Sequence, residues 1–526
     1  MATPGARRPD GTKVNGAFVL ENWFPTATGI RMRRGSAVHT LIGDGSKNVV
    51  SLFTYLDGNN RKLFATTDDA IYDATTATTQ EYIVDQNGFI FADENGNQMT
   101  PGVTRNTTAV VGSLSNGDWV VVQTANASGD VFLRAVNGAD TPLVYDGSVW
   151  GTTPAITGPD PTTFSYVWTH KKRAWFIQKD SLNAYYLAVD AIGGAATIFP
   201  LSGIFSRGGS LVFGASWSLE TSSGGLSEQI IFVTTEGEIA VYQGDDPSDA
   251  ATWSLVGVYR TGKPLGPKAH IKSGGDIAIA TDIGLLPVST AITRDYAALS
   301  PAAISYNIEV AWNEFVANRS FAGWQCEVWP TQQMVAIALP TPAGGTPTML
   351  VANARTGAWA PYTGWNALCV QTFNNQLYFG SVAGTIVQAE VTGADQGQPY
   401  TASCVPLFDS LRAPASLKTG LLARAVLLST SDVEPQMSLQ VDYVINLPAA
   451  PSAPIVQDSN VWGAGVWNQS TWDAGAQKLT RQRWQSVGGD GYALAPSAQI
   501  TSGSLVPPDT DLVSIDLTYD LSDVVT

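Results

Sequence analysis

Charged side chains are scarce in this sequence. Asp, Glu, Lys and Arg make up 14% of its 526 residues, against roughly 25% in an average soluble domain. Disordered chains and coiled coils both need far more charge, so neither class applies. Cysteine is nearly absent: Cys326, Cys369 and Cys404 are odd in number and form no C-x-x-C pair. Neither a zinc knuckle nor a disulfide framework is supported, and three buried free thiols are expected. Histidine is equally rare, with His39, His170 and His270 too far apart for the paired spacing of zinc ligands. No run of about 18 apolar residues occurs, so no membrane-spanning segment is expected. The N-terminal MATPGARRPDGTKVNG lacks the apolar core of a secretory signal.

Glycine (51), tryptophan (16) and many Thr, Ser and Asn take the place of the charges. That mixture suits short strands and tight turns, because aromatics pack well on pleats and Gly and Asn adopt positive φ. Six segments read as β-hairpins: 63–73, 132–147, 231–244, 277–289, 349–362 and 377–390, with turns at DD, NGAD, EG, DIG, RTG and AG. Further strands lie between them, and no Pro/Ser-rich linker separates the copies. The pattern predicts a mainly β chain: a β-propeller with insertions over residues 25–392, with six to eight blades, preceded by an N-terminal arm at 1–24. A set of β-sandwiches is the alternative. One helical insertion near 295–320 is expected, with Ile304, Ile308, Ala311, Trp312 and Phe315 on one stripe and Ser300 before Pro301 as its cap. Beyond GADQGQP, residues 393–526 read as a C-terminal β-sandwich-like domain.

The net charge is −16, which repels phosphates and argues against ordinary nucleic-acid binding. A channel through which DNA slides without sticking is compatible with acidic walls, and so is simple solubility. No G-x-S-x-G, H-E-x-x-H, P-loop or calcium-loop motif is present. His170, beside Lys171, Lys172 and Arg173, reads as part of a surface turn. Carboxylates at Asp68/Asp69, Asp93/Glu94, Glu236/Glu238 and Asp245/Asp246 fall in turn contexts, where a glycosidase pair is the alternative to turn geometry. No cofactor and no catalytic group is expected. Candidate interface residues are Arg31, Arg33 and Arg34 in GIRMRRG, where a solvated turn is the alternative, and Trp462, Trp467 and Trp472 in a Gly/Ser/Asn-rich loop, where local packing is the alternative.

The segments AFVLENWFPTATGIRMRRGSAVHT (17–40), SLFTYLDGNNRKLFATTDDAIYDAT (51–75), AVNGADTPLVYDG (135–147), KDSLNAYYLAVDAIGGAATIFPL (179–201) and FVTTEGEIAVYQGDDPSDAATWSLVGVYRTGKPLG (232–266) carry a resemblance. Together with the tryptophan loop, they look like the tail nozzle, or tail tubular protein B (tail hub), family of short-tailed bacteriophages. The resemblance implies a virion structural protein made in the host cytoplasm, not an enzyme. It implies a homohexameric ring below the portal and adaptor (head-to-tail connector), through which double-stranded DNA passes without specific binding. It further implies genome retention by a gate and docking of tail fibres or spikes. Residues 85–102 and 459–475 are candidate gate loops. The competing classes are a propeller-type polysaccharide-degrading enzyme, which needs a carboxylate-lined central pocket, and a receptor-binding tail protein.

Overall fold

A computed structural model describes residues 16–78, 104–220, 226–319, 322–431, 433–453, 478–503 and 506–521. Seven antiparallel sheets follow one another along it as the blades of a β-propeller. Their first strands are Ser51–Asp57, Val120–Ala125, Phe164–His170, Leu211–Glu220, His270–Ser273, Gln325–Trp329 and Cys369–Phe373. All six hairpins expected from the sequence pair within these sheets. No single sheet closes on itself; the circle is made by packing between sheets.

A blade is covered on both faces by its neighbours. Its middle strands therefore bury consecutive residues, as at 174–177, 230–233, 277–280 and 349–352. Among the described residues, nine tryptophans are less than 2% exposed. At about 25 cal/mol per Å² and 150–250 Å² per ring, each contributes roughly 4–6 kcal/mol before the entropy of ordering it. Phe53, Tyr55 and Phe64 meet Leu133 and Tyr145 between the first and second blades. The second, third, fourth and fifth share one core around Trp168, Trp175, Phe232 and Trp253. Trp312, Trp324 and Trp359 join the fifth to the sixth. Leu52 and Leu63 pack with Cys369, Tyr378 and Ile386 between the seventh and the first, which completes the circuit.

The seventh blade takes its outer strand from the other end of the chain. Gly35–Leu41 pairs with Thr385–Thr392, with Thr40 opposite Ile386 and Val38 opposite Val387. The fifth blade has only three strands. In place of a fourth, the backbone at 303–305 lies along Gly284–Pro287: Ile304 N–H donates to the Leu285 carbonyl at 2.9 Å, and the Ser305 hydroxyl accepts from Leu285 N–H at 3.0 Å. This explains why the helix expected over 295–320 is shorter. Three 3-10 turns precede a helix confined to Glu309–Ala317. Ser300 does not cap it but donates to Glu309, and Ile304 is 40% exposed while Ile308 and Trp312 are buried.

The second domain is a sandwich of two sheets. One contains Ala17–Glu21, Tyr400–Pro406, Leu494–Ser502 and Gln436–Val441; the other contains Trp23–Pro25, Ile30–Met32, Thr510–Leu521, Lys418–Ser429 and Leu479–Gln482. Leu20, Cys404, Ala498 and Ile500 share its core with Ala423, Ala425, Leu427 and Val487. Residues 17–32 are thus strands of the C-terminal sandwich. The expected boundary at 24/25 between an arm and the propeller is corrected: the propeller begins after Arg34.

Candidate functional site

Both strands that close the seventh blade run straight into the sandwich, and their crossing is pinned by a buried guanidinium. Arg33 is 0% exposed. Its Nη1 and Nη2 donate to the two Asp395 carboxylate oxygens at 2.9 and 2.5 Å, its Nε to Asn22 Oδ1 at 2.7 Å, and Nη2 also to the Thr363 carbonyl. The guanidinium carbon lies 3.9 Å from the Tyr400 ring centroid and 4.8 Å from that of Trp365. Asp395 further accepts from Trp365 Nε1 and Ser36 Oγ. Burial disfavours the charged arginine, but the coulombic and hydrogen-bonding pull of Asp395 outweighs it, and the net shift is upward.

Arg31 and Arg34 converge on a second buried acid. Glu390 sits at a bulge with φ 59, which turns its side chain inward. Its Oε2 accepts from Arg34 N–H at 3.0 Å and lies 3.9 Å from Arg31. Burial pushes the carboxyl up, against the pull of Arg31 and the Arg34 amide. The GIRMRRG cluster, read from the sequence as a docking patch or a solvated turn, is neither at Arg33, which faces inward and joins the sixth and seventh blades to the sandwich. Asp395 and Glu390 were not singled out in the sequence; an acid in the GAD turn after the last blade strand was the available sign.

Just before the first strand of the fifth blade, Lys268 links the sixth blade to the first and second. Its carbonyl accepts from Cys326 N–H on the sixth blade, while its ammonium reaches Asp118 Oδ1 at 2.7 Å and Ser51 Oγ at 2.9 Å, at the entries to the second and first blades. Lys268 holds the Asp118 carboxyl below its usual range. Replacing Lys268 with methionine should raise the Asp118 pKa toward the ordinary aspartate value, measurable by NMR titration of the carboxyl carbon.

Of the carboxylates considered as catalytic pairs, Asp93 and Glu94 lie outside the described residues, and Asp69, Glu236, Glu238, Asp245 and Asp246 are engaged in hydrogen bonds and ion pairs. Glu238 is 3% exposed and accepts from Ser206 Oγ and Arg207 N–H. Glu236 pairs with Lys263 at 2.9 Å, Asp69 with Lys47 at 2.6 Å, Asp245 with Lys171 at 3.1 Å and Asp246 with Arg173 at 3.3 Å. Asp69 and Lys47 line a cleft of about 220 Å³ with Asp44 and Tyr72. Lys171 and Lys172 occupy a two-residue turn with φ 48 and 58, as the surface-turn reading expects. His170 departs from it: the ring is buried, within 3.0 Å of Ser216 Oγ and edge-on to Trp253. His270 stacks on Phe213 at 4.3 Å. Burial lowers both histidines to about 4. The three cysteines are buried free thiols, pushed up by burial. Trp462, Trp467, Trp472 and both candidate gate loops lie outside the described residues.

Large apolar side chains are exposed at many points among the described residues, and two groups of them lie on strand edges or faces of different domains. The outer strand of the fourth blade, Ser254–Arg260, exposes Leu255, Val256 and Val258; the sandwich exposes Leu421, Leu422, Leu479 and Trp484. No helix among the described residues is long and apolar enough to cross a membrane.

No protein-family model matches this sequence, and neither does any curated protein. Solved structures similar to it include the computationally designed Ika8 protein, at 12% identity and TM-score 0.35 over 68% of this chain and 100% of that one. Another is the β-propeller domain of Myceliophteria thermophila Cps50 (Swd1), at 11% identity and TM-score 0.40 over 68% of this chain and 100% of that one. A third is the extracellular domain of the hybrid two component system BT3049 from B. thetaiotaomicron, at 13% and 0.37 over 68% and 41%. The propeller assignment rests on this chain's own sheet order.

Proposed function

We propose that this chain is a structural virion protein: a tail nozzle subunit that assembles with five copies of itself into a ring around the DNA exit path. The observation that carries the reading is that exposed apolar side chains occur both on the fourth blade's edge, at Leu255, Val256 and Val258, and on the sandwich, at Leu421, Leu422, Leu479 and Trp484. A ring needs two different, complementary faces on each subunit, whereas an isologous dimer needs one. The Arg33 junction supports the same reading, because a subunit bearing load between rings gains from having its two domains fixed together. Lys268 links the sixth blade to the first and second, and the exit path in this reading runs between subunits and not through a propeller. The adaptor above and fibres or spikes outside are the partners proposed. The absence of catalysis is part of the same proposal: Asp69, Glu236, Glu238, Asp245 and Asp246, candidates for the enzyme alternative, are each held by a hydrogen bond or an ion pair.

Val256→Asp on the blade edge and Trp484→Asp on the sandwich test the reading. Each places a charge on one proposed face and should remove assembled rings from analytical ultracentrifugation while leaving circular dichroism unchanged. A mixture of the two variants should remain unassembled beyond a mixed dimer, since one face of each kind survives. Rings formed by either variant alone would reject these surfaces as the ring faces.

A further inference from the structure

The sandwich ends in a hairpin whose backbone disfavours the residue it carries. Val444 N–H donates to the Val441 carbonyl at 3.0 Å, closing a two-residue turn with Asp442 at φ 48 and Tyr443 at φ 65. Such turns call for Asn-Gly or Asp-Gly, because a bulky side chain in the left-handed region crowds the backbone. Here the second position holds tyrosine, and its ring is thrust outward: Tyr443 is 64% exposed and Val444 65%. The turn is braced from beneath. Asp442 Oδ1 accepts from Tyr492 and Ala493 N–H at 2.8 and 2.9 Å, and the wholly buried Lys418 ammonium donates to the carbonyls of Ala413, Ser416 and Tyr492.

The exposed ring belongs to a continuous aromatic strip. Tyr443 packs on Phe408 at 4.9 Å, and Phe408 meets Phe18 edge-on at 5.6 Å; Tyr492, whose N–H donates to Asp442, is 47% exposed. Asp409, Asp442 and Asp490 are exposed around this strip, and Arg412 is the exposed cation on the adjoining loop. The aromatic faces attract cations, the aspartates add to that attraction, and the −16 charge of the chain favours approach of a basic partner. Solvent gains nothing from an apolar ring held in a strained turn, whereas a contact surface does.

We propose that this sandwich tip is a docking site for an extended segment of another protein that sets arginine or lysine beside an aliphatic or aromatic anchor. The site does not depend on the ring reading and functions in a monomer.

The test uses the full chain with two fluorescein-labelled twelve-residue peptides, one alternating Arg and Leu, the other alternating Glu and Leu. Fluorescence anisotropy should detect the Arg/Leu peptide at least tenfold more tightly than the Glu/Leu peptide. Tyr443→Gly should weaken Arg/Leu binding at least tenfold and at the same time raise the thermal unfolding midpoint, because glycine relieves the left-handed turn. Tyr492→Ser, which leaves the turn untouched, should weaken binding as well. Equal binding of the two peptides, no binding of either, or Arg/Leu binding unaffected by Tyr443→Gly and Tyr492→Ser overturns the proposal. An unchanged or lower midpoint for the glycine variant overturns the claim that tyrosine is kept there at a cost in stability.

Discussion

Replacing Arg33 with methionine is expected to lower stability by about 3–5 kcal/mol, the range for breaking a buried ion pair from one side. The variant leaves the Asp395 carboxylate, 12% exposed, without its cation. It also strips Asn22 Oδ1 and the Thr363 carbonyl of a donor. Removing both charges in Arg33→Met/Asp395→Asn should cost distinctly less than the single variant, because desolvation of an unpaired charge is the larger part of the loss. Lysine should not rescue: a point charge cannot reproduce a fork that meets both carboxylate oxygens while stacking on Tyr400. Calorimetry checks a further consequence. Since the same guanidinium joins the sixth and seventh blades to the sandwich, the variant should split one unfolding transition into two, the sandwich melting first. A single transition at the native midpoint would show that the shared strands alone couple the domains.

The second large effect is an early loss of stability in acid. His170 is buried, His270 is partly buried with its ring stacked on Phe213, and both are neutral, with folded values near 4 against 6.5 for the free side chain. Between those limits the unfolded chain binds protons that the folded chain refuses. The stabilising contribution is therefore complete above about pH 6.5 and is lost as pH falls toward 4, by roughly 3 kcal/mol per histidine. Around His170, Lys171 strengthens the effect and Glu228 at 3.9 Å and Asp245 oppose it; Lys272 strengthens it for His270. Burial raises the carboxyls of Glu327 and Glu390, which take up protons in the folded state and work in the opposite direction. Chemical denaturation at a series of pH values should show stability falling below pH 6.5. His170→Gln, which keeps an amide near Ser216, combined with His270→Phe, which keeps the stack on Phe213, should flatten that slope. An unchanged slope in the double variant would assign it to other groups, first among them His39, which burial also lowers.

The hairpins were legible because each carries its own evidence: a strand of β-branched and aromatic residues, a turn of Asp, Asn and Gly, and a return strand. The closure was not legible. Nothing local marks Gly35–Leu41 as the outer strand of a blade more than three hundred residues away, or Ala17–Glu21 as a partner of Tyr400–Pro406. The helix at 295–320 misled because its apolar spacing is real at Ile308 and Trp312, whereas Ile304 serves the edge of the fifth blade through its backbone. The arginine cluster misled for a related reason. Sequence displays Arg31, Arg33 and Arg34 as charge in a turn, while their counter-charges, Glu390 and Asp395, lie some 360 residues downstream, visible only once the two domains are brought together. Lys268 is likewise an isolated cation in the sequence and becomes a link from the sixth blade to the first and second only when the blades are brought together.

Negative-stain imaging of the purified full chain, alone and with the adaptor, tests the central claim most directly. The account predicts rings with six-fold symmetry around an open centre, each subunit contributing a blade edge to one neighbour and a sandwich face to the other. Monomers that persist at micromolar concentration with the adaptor present, or trimers that bind host surface glycans, would contradict it.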